Sequence, residues 1–230
     1  MTTVPKRRRQ ARRARHWHHH GAESAAFETV RDEILRLARP GPEDIAVDLR
    51  AGSDLLTAPL ARTVRTVLAV DASQAPAGEV SLEEEDLHRA TVLPISAEIT
   101  AFAVPRQSVD LVVSNYVMHH LHNADKRAVV ASARRWLRPG GRLVIGDMMF
   151  GRGLSSGDAQ ILQAKVRSLA SKGPGGLWRI AKNLARYGLH IGGSHPAPPK
   201  FWITALEDAG FREVGHVQVV QEAGIVWGTA

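Results

Sequence analysis

The most informative apolar patterning in the chain runs from Val109 to Asp147. It reads VDLVVSNYVMHHL, then a mixed polar and apolar segment, then WLRPGGRLVIGD. Val109–Val113 and Arg142–Ile145 are short, mostly apolar runs, and a Pro-Gly-Gly turn opens the second. Such runs fit strands covered on both faces, and the segment between them fits one crossover helix. The pattern predicts a strand–helix–strand unit of a parallel sheet. Its first strand ends in Ser114-Asn115-Tyr116. In open α/β sheets ligands sit at the carboxyl ends of strands, so these groups are candidates for a site.

The same alternation extends along the chain. Phe27, Val30, Ile34, Leu35 and Leu37 have helical spacing within Glu23–Ala38, and Arg39-Pro40-Gly41-Pro42 stops that helix. Ile45–Leu49 reads as strand one, Leu55–Arg62 as a helix that includes Pro59, and Val64–Val70 as strand two, ending in Asp71. Residues 72–90 are polar and acidic, with Glu83-Glu84-Glu85-Asp86 as a solvated face. Thr91–Ile95 is strand three, and the two runs above are strands four and five. Residues 151–200 break the rhythm: helices at 158–172 and 177–189, separated by Gly173-Pro174-Gly175-Gly176, form a helical insertion read as a lid. A helix over Phe201–Ala209 closes at Gly210, and strands near Val214–Val220 and Ile225–Trp227 have a link short enough for an antiparallel hairpin. Repeated strand–helix alternation implies an α/β fold with a doubly wound sheet.

Composition adds limits. A chain of 230 residues, 44% apolar, suits one α/β domain with a modest insertion. No apolar run approaches the roughly 20 residues of a membrane-spanning helix. No cysteine is present, so disulfides, thiol nucleophiles and cysteine-zinc sites are excluded. A cytoplasmic protein is the expectation. The net charge of +7 has one source: Lys6, Arg7, Arg8, Arg9, Arg12, Arg13 and Arg15 precede the first acid, Glu23, and the remaining 23 basic residues balance 23 acidic ones. Residues 1–22 read as a disordered basic arm, and 23–230 as the folded domain. Residues 6–15 could contact nucleic acid or an anionic surface. His16-Trp17-His18-His19-His20 lacks a local acid or cysteine, so no metal site is assigned.

Five motifs stand in order: Asp71-Ala72-Ser73 after strand two, Ala97-Glu98 with Phe102 after strand three, His119-His120-Leu121 after strand four, Trp136-Leu137-Arg138-Pro139-Gly140-Gly141 before strand five, and Asp48 at the end of strand one. With the element order, over roughly residues 27–150 and 201–228, they resemble the class I S-adenosylmethionine-dependent methyltransferases of the small-molecule type. That resemblance implies a Rossmann-like seven-stranded sheet with a C-terminal antiparallel hairpin and a helical insertion after strand five. It implies S-adenosyl-L-methionine as cofactor and methyl transfer to a small-molecule acceptor. Where that family has D-x-G-x-G-x-G after strand one, this chain has Asp48-Leu49-Arg50-Ala51-Gly52-Ser53-Asp54, keeping only the middle glycine. Asp54 is a good helix N-cap residue. Ser96 replaces the family's acid after strand three.

The resemblance assigns the cofactor site residue by residue. Asp71 would accept hydrogen bonds from both ribose hydroxyls. Asp48 would organise the loop and approach the methionine amine, and Gly52 would pack against the cofactor. Ala97 and Glu98 would border the adenine, with Ser96 offering a hydroxyl, and Ser114 and Asn115 would contact the methionine end. His119, one helical turn after Asn115, would face the transferred methyl group as a general base. Tyr116 would line the pocket or pack. The run Ser114-Asn115-Tyr116-Val117 lacks the two prolines of amino-methylating nucleic-acid enzymes. Two other functions fit the same pattern: a methyltransferase of RNA or protein guided by the arm, and a non-catalytic binding or assembly module, the latter motivated by Arg50 and Asp54. Oligomeric state is left open by the sequence.

Overall fold

The computed structural model describes residues 21–49, 55–72, 90–150, 195–220 and 223–230, and side chains from residue 27 onward. The basic arm, Gly52 with the rest of the loop 50–54, the acidic run at 83–86 and the insertion up to residue 194 lie outside the described residues. In chain order the elements are α1 (Gly21–Ala38), β1 (Ile45–Leu49), α2 (Thr57–Ala61), β2 (Thr66–Asp71), β3 (Thr91–Ser96) and β4 (Val109–Asn115). A 3-10 turn (Met118–His120) follows, then α3 (Asn123–Trp136), β5 (Leu137–Met148), α4 (Pro199–Asp208), β6 (Arg212–Gln218) and β7 (Ala223–Thr229). Among the described residues no helix is long and apolar enough to cross a membrane.

The seven strands form one sheet in the order β3-β2-β1-β4-β5-β7-β6. β1 to β5 pair in parallel, whereas β7 runs antiparallel to both β5 and β6. This is the expected doubly wound sheet with its C-terminal hairpin. The order reverses direction at β1, whose neighbours β2 and β4 lead away to either side. That switch point opens a crevice at the carboxyl ends of the strands.

Two apolar layers explain the arrangement. Side chains alternate along a strand, so residues two apart share a face. On one face Val47, Leu49, Val70, Val112, Leu143, Ile145 and Val226 pack with Val129, Val130 and Trp136 of α3 and Trp202 and Leu206 of α4. On the other, Ala46, Val67, Leu111, Val113, Val144 and Ile225 pack with Val30 and Ile34 of α1 and Leu60 of α2. The central strands β1 and β4 are therefore sealed on both sides, as their near-continuous apolar runs require. β3 is an edge strand with Leu93 exposed, and Pro94 is tolerated because the edge needs no donor on its open side.

Three local expectations are corrected. The strand expected to begin at Arg142 begins at Leu137, because Val109 pairs with Leu137 and Leu111 with Arg142. Pro139, Gly140 and Gly141 are the extra residues of a bulge inside β5 rather than a turn before it. Gly140 takes φ +84°, which favours glycine. The helix expected over Leu55–Arg62 is reduced to Thr57–Ala61. Its N-cap is Leu56 with no side-chain cap bond, and Asp54 lies outside the described residues. Pro59 lies within the first turn, where its missing N–H costs nothing. The third correction concerns His119 and belongs to the site.

Candidate functional site

Register brings the candidate residues to one edge of the sheet. Leu49 pairs with Val70 on one side and Ser114 on the other. Asp71 pairs with Ser96, and Asn115 with Gly146. The ends of β1, β2, β3 and β4 thus carry Asp48, Asp71, Ser96, Ser114 and Asn115 on adjacent rows. The Ala97 N–H donates to the Asp71 carbonyl at 3.0 Å, which continues the β2–β3 pairing past the strand. The Glu98 carbonyl accepts from the amides of Ala101 and Phe102, both at 2.9 Å, so Glu98 opens a tight turn with its side chain exposed. Phe102 then packs edge-on against Trp136 of α3, with ring centroids 5.2 Å apart. The family motif at Phe102 therefore has a packing cause: it pins the turn bearing Ala97 and Glu98 to the body.

Asp48 is buried, and its Oδ2 accepts the hydroxyl proton of Thr57 at 2.7 Å. Thr57 is the first residue of α2. The carboxylate thus ties both ends of the segment 49–56 together, across the loop that contains Gly52. A buried carboxylate needs such partners, because its desolvation is otherwise severe.

The end of β4 is different. Ser114 Oγ and both amide atoms of Asn115 are buried and, among the described residues, have no hydrogen-bond partner. Buried polar atoms are nearly always paired, and each unpaired one costs about 1–3 kcal/mol. Three at one strand end leave hydrogen-bonding capacity unused among the described residues. Tyr116 follows with φ +53°, a left-handed turn. Its ring stacks edge-on against Phe27 of α1 at 4.4 Å, so of the two roles expected for it the packing one is observed.

The third correction follows from that turn. His119 does not sit one helical turn beyond Asn115, because the chain leaves β4 through the left-handed Tyr116 and enters a 3-10 turn. His119 is placed instead by Asp147, near the end of β5. Its Nδ1 lies 2.6 Å from Asp147 Oδ1, and its main-chain N–H donates to Asp147 Oδ2 at 2.8 Å. The Met148 N–H also donates to Asp147 Oδ1, at 2.6 Å. A carboxylate is an acceptor, so Nδ1–H is the group that donates to it, and in a neutral ring the lone pair then lies on Nε2. The ring is partly exposed and stacks on His120 at 4.1 Å. A carboxylate held against Nδ1 in this way fixes the orientation of the ring.

Sequence reasoning gave no role to Asp147, Lys126 or His195, which the structure gathers around His119. Lys126 of α3 is fully buried. Its Nζ donates to Asn123 Oδ1 at 3.2 Å and to the His195 carbonyl. Phe201 and Trp202 of α4 flank it, with ring centroids 5.9 and 5.8 Å from Nζ. Burial holds its pKa below the ordinary lysine value, and the charge of Asp147 opposes that effect. The His195 N–H donates to the His119 carbonyl at 2.5 Å, and its ring stacks on His122 at 4.0 Å. Among the described residues no group of three histidine or acidic side chains could hold a metal ion.

A profile described as methyltransferase domain matches residues 47–145, which run from β1 into β5. That match completes the case made by the strand order and the motifs. Residues 47–145 match the methyltransferase-domain family, and the strand order around them is that of the class I methyltransferase fold. An uncharacterised methyltransferase of Geobacillus kaustophilus is 28% identical over 119 residues, which are 52% of this chain and 54% of the relative. The chain spans about half the length of the curated relatives it matches. Among solved structures, the Haloferax volcanii protein in complex with the Trm112 methyltransferase activator superimposes with a TM-score of 0.64 at 15% identity, covering 91% of each chain. The S-adenosylmethionine-dependent methyltransferase SibL gives 0.55 at 20% identity, covering 81% of this chain and 50% of SibL. Identities this low carry the fold and leave substrate and activity to the site itself.

Proposed function

We propose that this protein transfers the methyl group of S-adenosylmethionine to a small-molecule acceptor. The observation that carries the reading is the cluster of unpartnered buried polar atoms on Ser114 and Asn115, one strand from Asp48 and two from Asp71. The residues present fit the cofactor. Asp71, half-buried at the end of β2, offers its carboxylate to two ribose hydroxyls. Ala97 and Glu98 would border the adenine, Ser96 would add a hydroxyl, and Gly52, on the sequence alone, would pack against the cofactor. Ser114, Asn115 and Asp48 would hold the methionine end.

Bound S-adenosylmethionine supplies a methyl group already activated by its sulfonium. The protein's remaining work is to position the acceptor and receive its proton. His119 Nε2, with its lone pair fixed outward by Asp147, is the proton acceptor for a hydroxyl or amine. The small-molecule class is favoured by the charge-balanced body and by the proline-free Ser114–Val117 run.

Calorimetric titration with S-adenosylmethionine and S-adenosylhomocysteine tests the reading. Binding in the micromolar range is expected, and Asp71→Ala should weaken it about tenfold or more, or ~1.4 kcal/mol. Ser114→Ala should lower affinity while leaving the ligand-free fold as stable or more so by about 1 kcal/mol, since it deletes an unpaired hydroxyl. No binding by well-folded native protein at millimolar concentrations would overturn the proposal and favour a non-catalytic binding module.

A further inference from the structure

A lysine at the centre of an apolar layer is costly, and the transfer reaction proposed above assigns it no task. Lys126 occupies the inward stripe of α3 with Val129, Val130, Ala133 and Trp136. An apolar side chain there would satisfy packing without desolvating a charge. The surroundings of Nζ offer partners to an ammonium. Both polar neighbours, Asn123 Oδ1 and the His195 carbonyl, are acceptors, and the other two are aromatic rings.

The contacts beyond Nζ lead to the site. Lys126 holds the His195 carbonyl, the His195 N–H holds the His119 carbonyl, and the His119 ring meets Asp147. His119 is thus gripped from its backbone by the Lys126–His195 chain and from its ring by β5. The charged and titratable groups around this knot come from every neighbouring element. β5 presents Asp147; the 3-10 turn presents His119 and His120, and the residue capping α3 is His122; the segment before α4 presents His195. α4 presents the uncharged rings of Phe201 and Trp202, while its Asp208 pairs with Arg127 on the surface at 3.0 Å. The charge of Asp147 works against the burial of Lys126, so the lysine is electrostatically coupled to the carboxylate that holds His119.

We propose that Lys126 is a positioning residue for the His119–Asp147 pair, locking the His119 backbone through His195 and supplying the cation that balances Asp147. With that countercharge in place His119 need not be protonated to neutralise Asp147, so its ring stays available as a proton acceptor. Without it, the imidazolium becomes the countercharge beside the buried carboxylate, whose other partners are the uncharged amides of His119 and Met148. This inference rests on the reading of His119 as the base, but its structural half is measurable without cofactor or acceptor.

The test is an NMR titration of histidine-labelled full-length protein, with the His119 signals assigned by His119→Gln, in the native chain, Lys126→Met and Lys126→Arg. Lys126→Met removes the charge and keeps the length. It should raise the proton affinity of the His119 ring about threefold or more, half a pH unit. It should also speed amide exchange at His195. Lys126→Arg should leave the titration close to native. If the protein binds and turns over a substrate, the acidic limb of its rate profile should move to higher pH in Lys126→Met alone. A native-like His119 titration in a folded Lys126→Met protein would overturn the proposal, as would equal shifts in both variants. Should Lys126→Met fail to fold, Lys126→Gln takes its place under the same criteria. Failure of the native chain to bind S-adenosylmethionine, with the NMR result intact, would instead remove the proposed function.

Discussion

At the scale of single residues, burial decides which polar groups matter. His216 on β6 has Nε2 buried without a hydrogen-bond partner. Burial disfavours the imidazolium and holds the ring's pKa below its ordinary value of 6.5. The unfolded chain therefore binds a proton that the folded chain refuses, in the window from the lowered value up to 6.5. Stability rises with pH through that window, is complete above it, and is lost as pH falls. Replacing His216 by Gln should shrink the drop in urea midpoint between about pH 7 and about pH 5, where His216 titrates in the unfolded state. If the native chain and His216→Gln lose stability in parallel over that range, the burial argument for His216 is wrong. The remaining polar groups of the site follow the same logic in reverse. Asp48 and Asp147 are buried but bonded, so they are fixed parts of the fold, whereas Ser114 and Asn115 are buried and unbonded.

At the scale of elements, close approach sets which residue types are allowed. α1 lies across β4, β5 and β7, and its contact point on the sheet is Gly146. A Cβ built there would lie 2.7 Å from both Ile34 Cδ1 and Val30 Cγ1. Gly146→Ala should therefore destabilise the chain by about 1–3 kcal/mol, the usual cost of overpacking. Combining it with Ile34→Val removes the clashing Cδ1 and should recover part of the loss, a coupling that a double-mutant cycle in urea reads directly. Strict additivity would show that α1 is not seated where the structure puts it. Elements of this kind were legible in the sequence because their signals are local. The apolar runs of β1, β4 and β5 and the 3.6-residue spacing of α1 and α3 need no knowledge of what they pack against. Where the reading slipped, the cause was pairing at a distance. Pro139-Gly140-Gly141 looks like a turn until Leu137 is seen to pair with Val109. Asp147 and His119 are 28 residues apart, and Lys126 and His195 are 69 apart. No periodicity links them, although a lysine in register with Val129, Val130 and Ala133 was a visible anomaly. That Asp48, Asp71, Ser114 and Asn115 stand on adjacent rows was legible for a different reason: they lie at strand ends, and strand ends can be counted.

At the scale of the whole molecule, the matched family segment is smaller than the cooperative structure. Residues 47–145 contain the parallel strands, but the sheet does not end at β5. β7 pairs with β5 in register from Arg142↔Thr229 to Met148↔Ala223, so β5 is an interior strand only because the C-terminal hairpin covers it. α1 seals one face of the same strands through Val30 and Ile34, and α4 seals the other through Trp202 and Leu206. A fragment of residues 45–150 would expose Val144 and Ile145 together with a long, flat, apolar strand edge, the configuration that natural sheets protect against self-association. It should give no cooperative unfolding transition and should aggregate at concentrations where residues 21–230 remain monodisperse. The longer chain should unfold in a single transition. Calorimetry with light scattering on both proteins distinguishes the cases. A folded, monodisperse 45–150 fragment would mean that the antiparallel hairpin and α1 are accessories to the parallel half. An aggregating fragment beside a cooperative 21–230 chain would mean that the site at the strand ends depends on elements beyond the matched segment, with α4 and His195 among them.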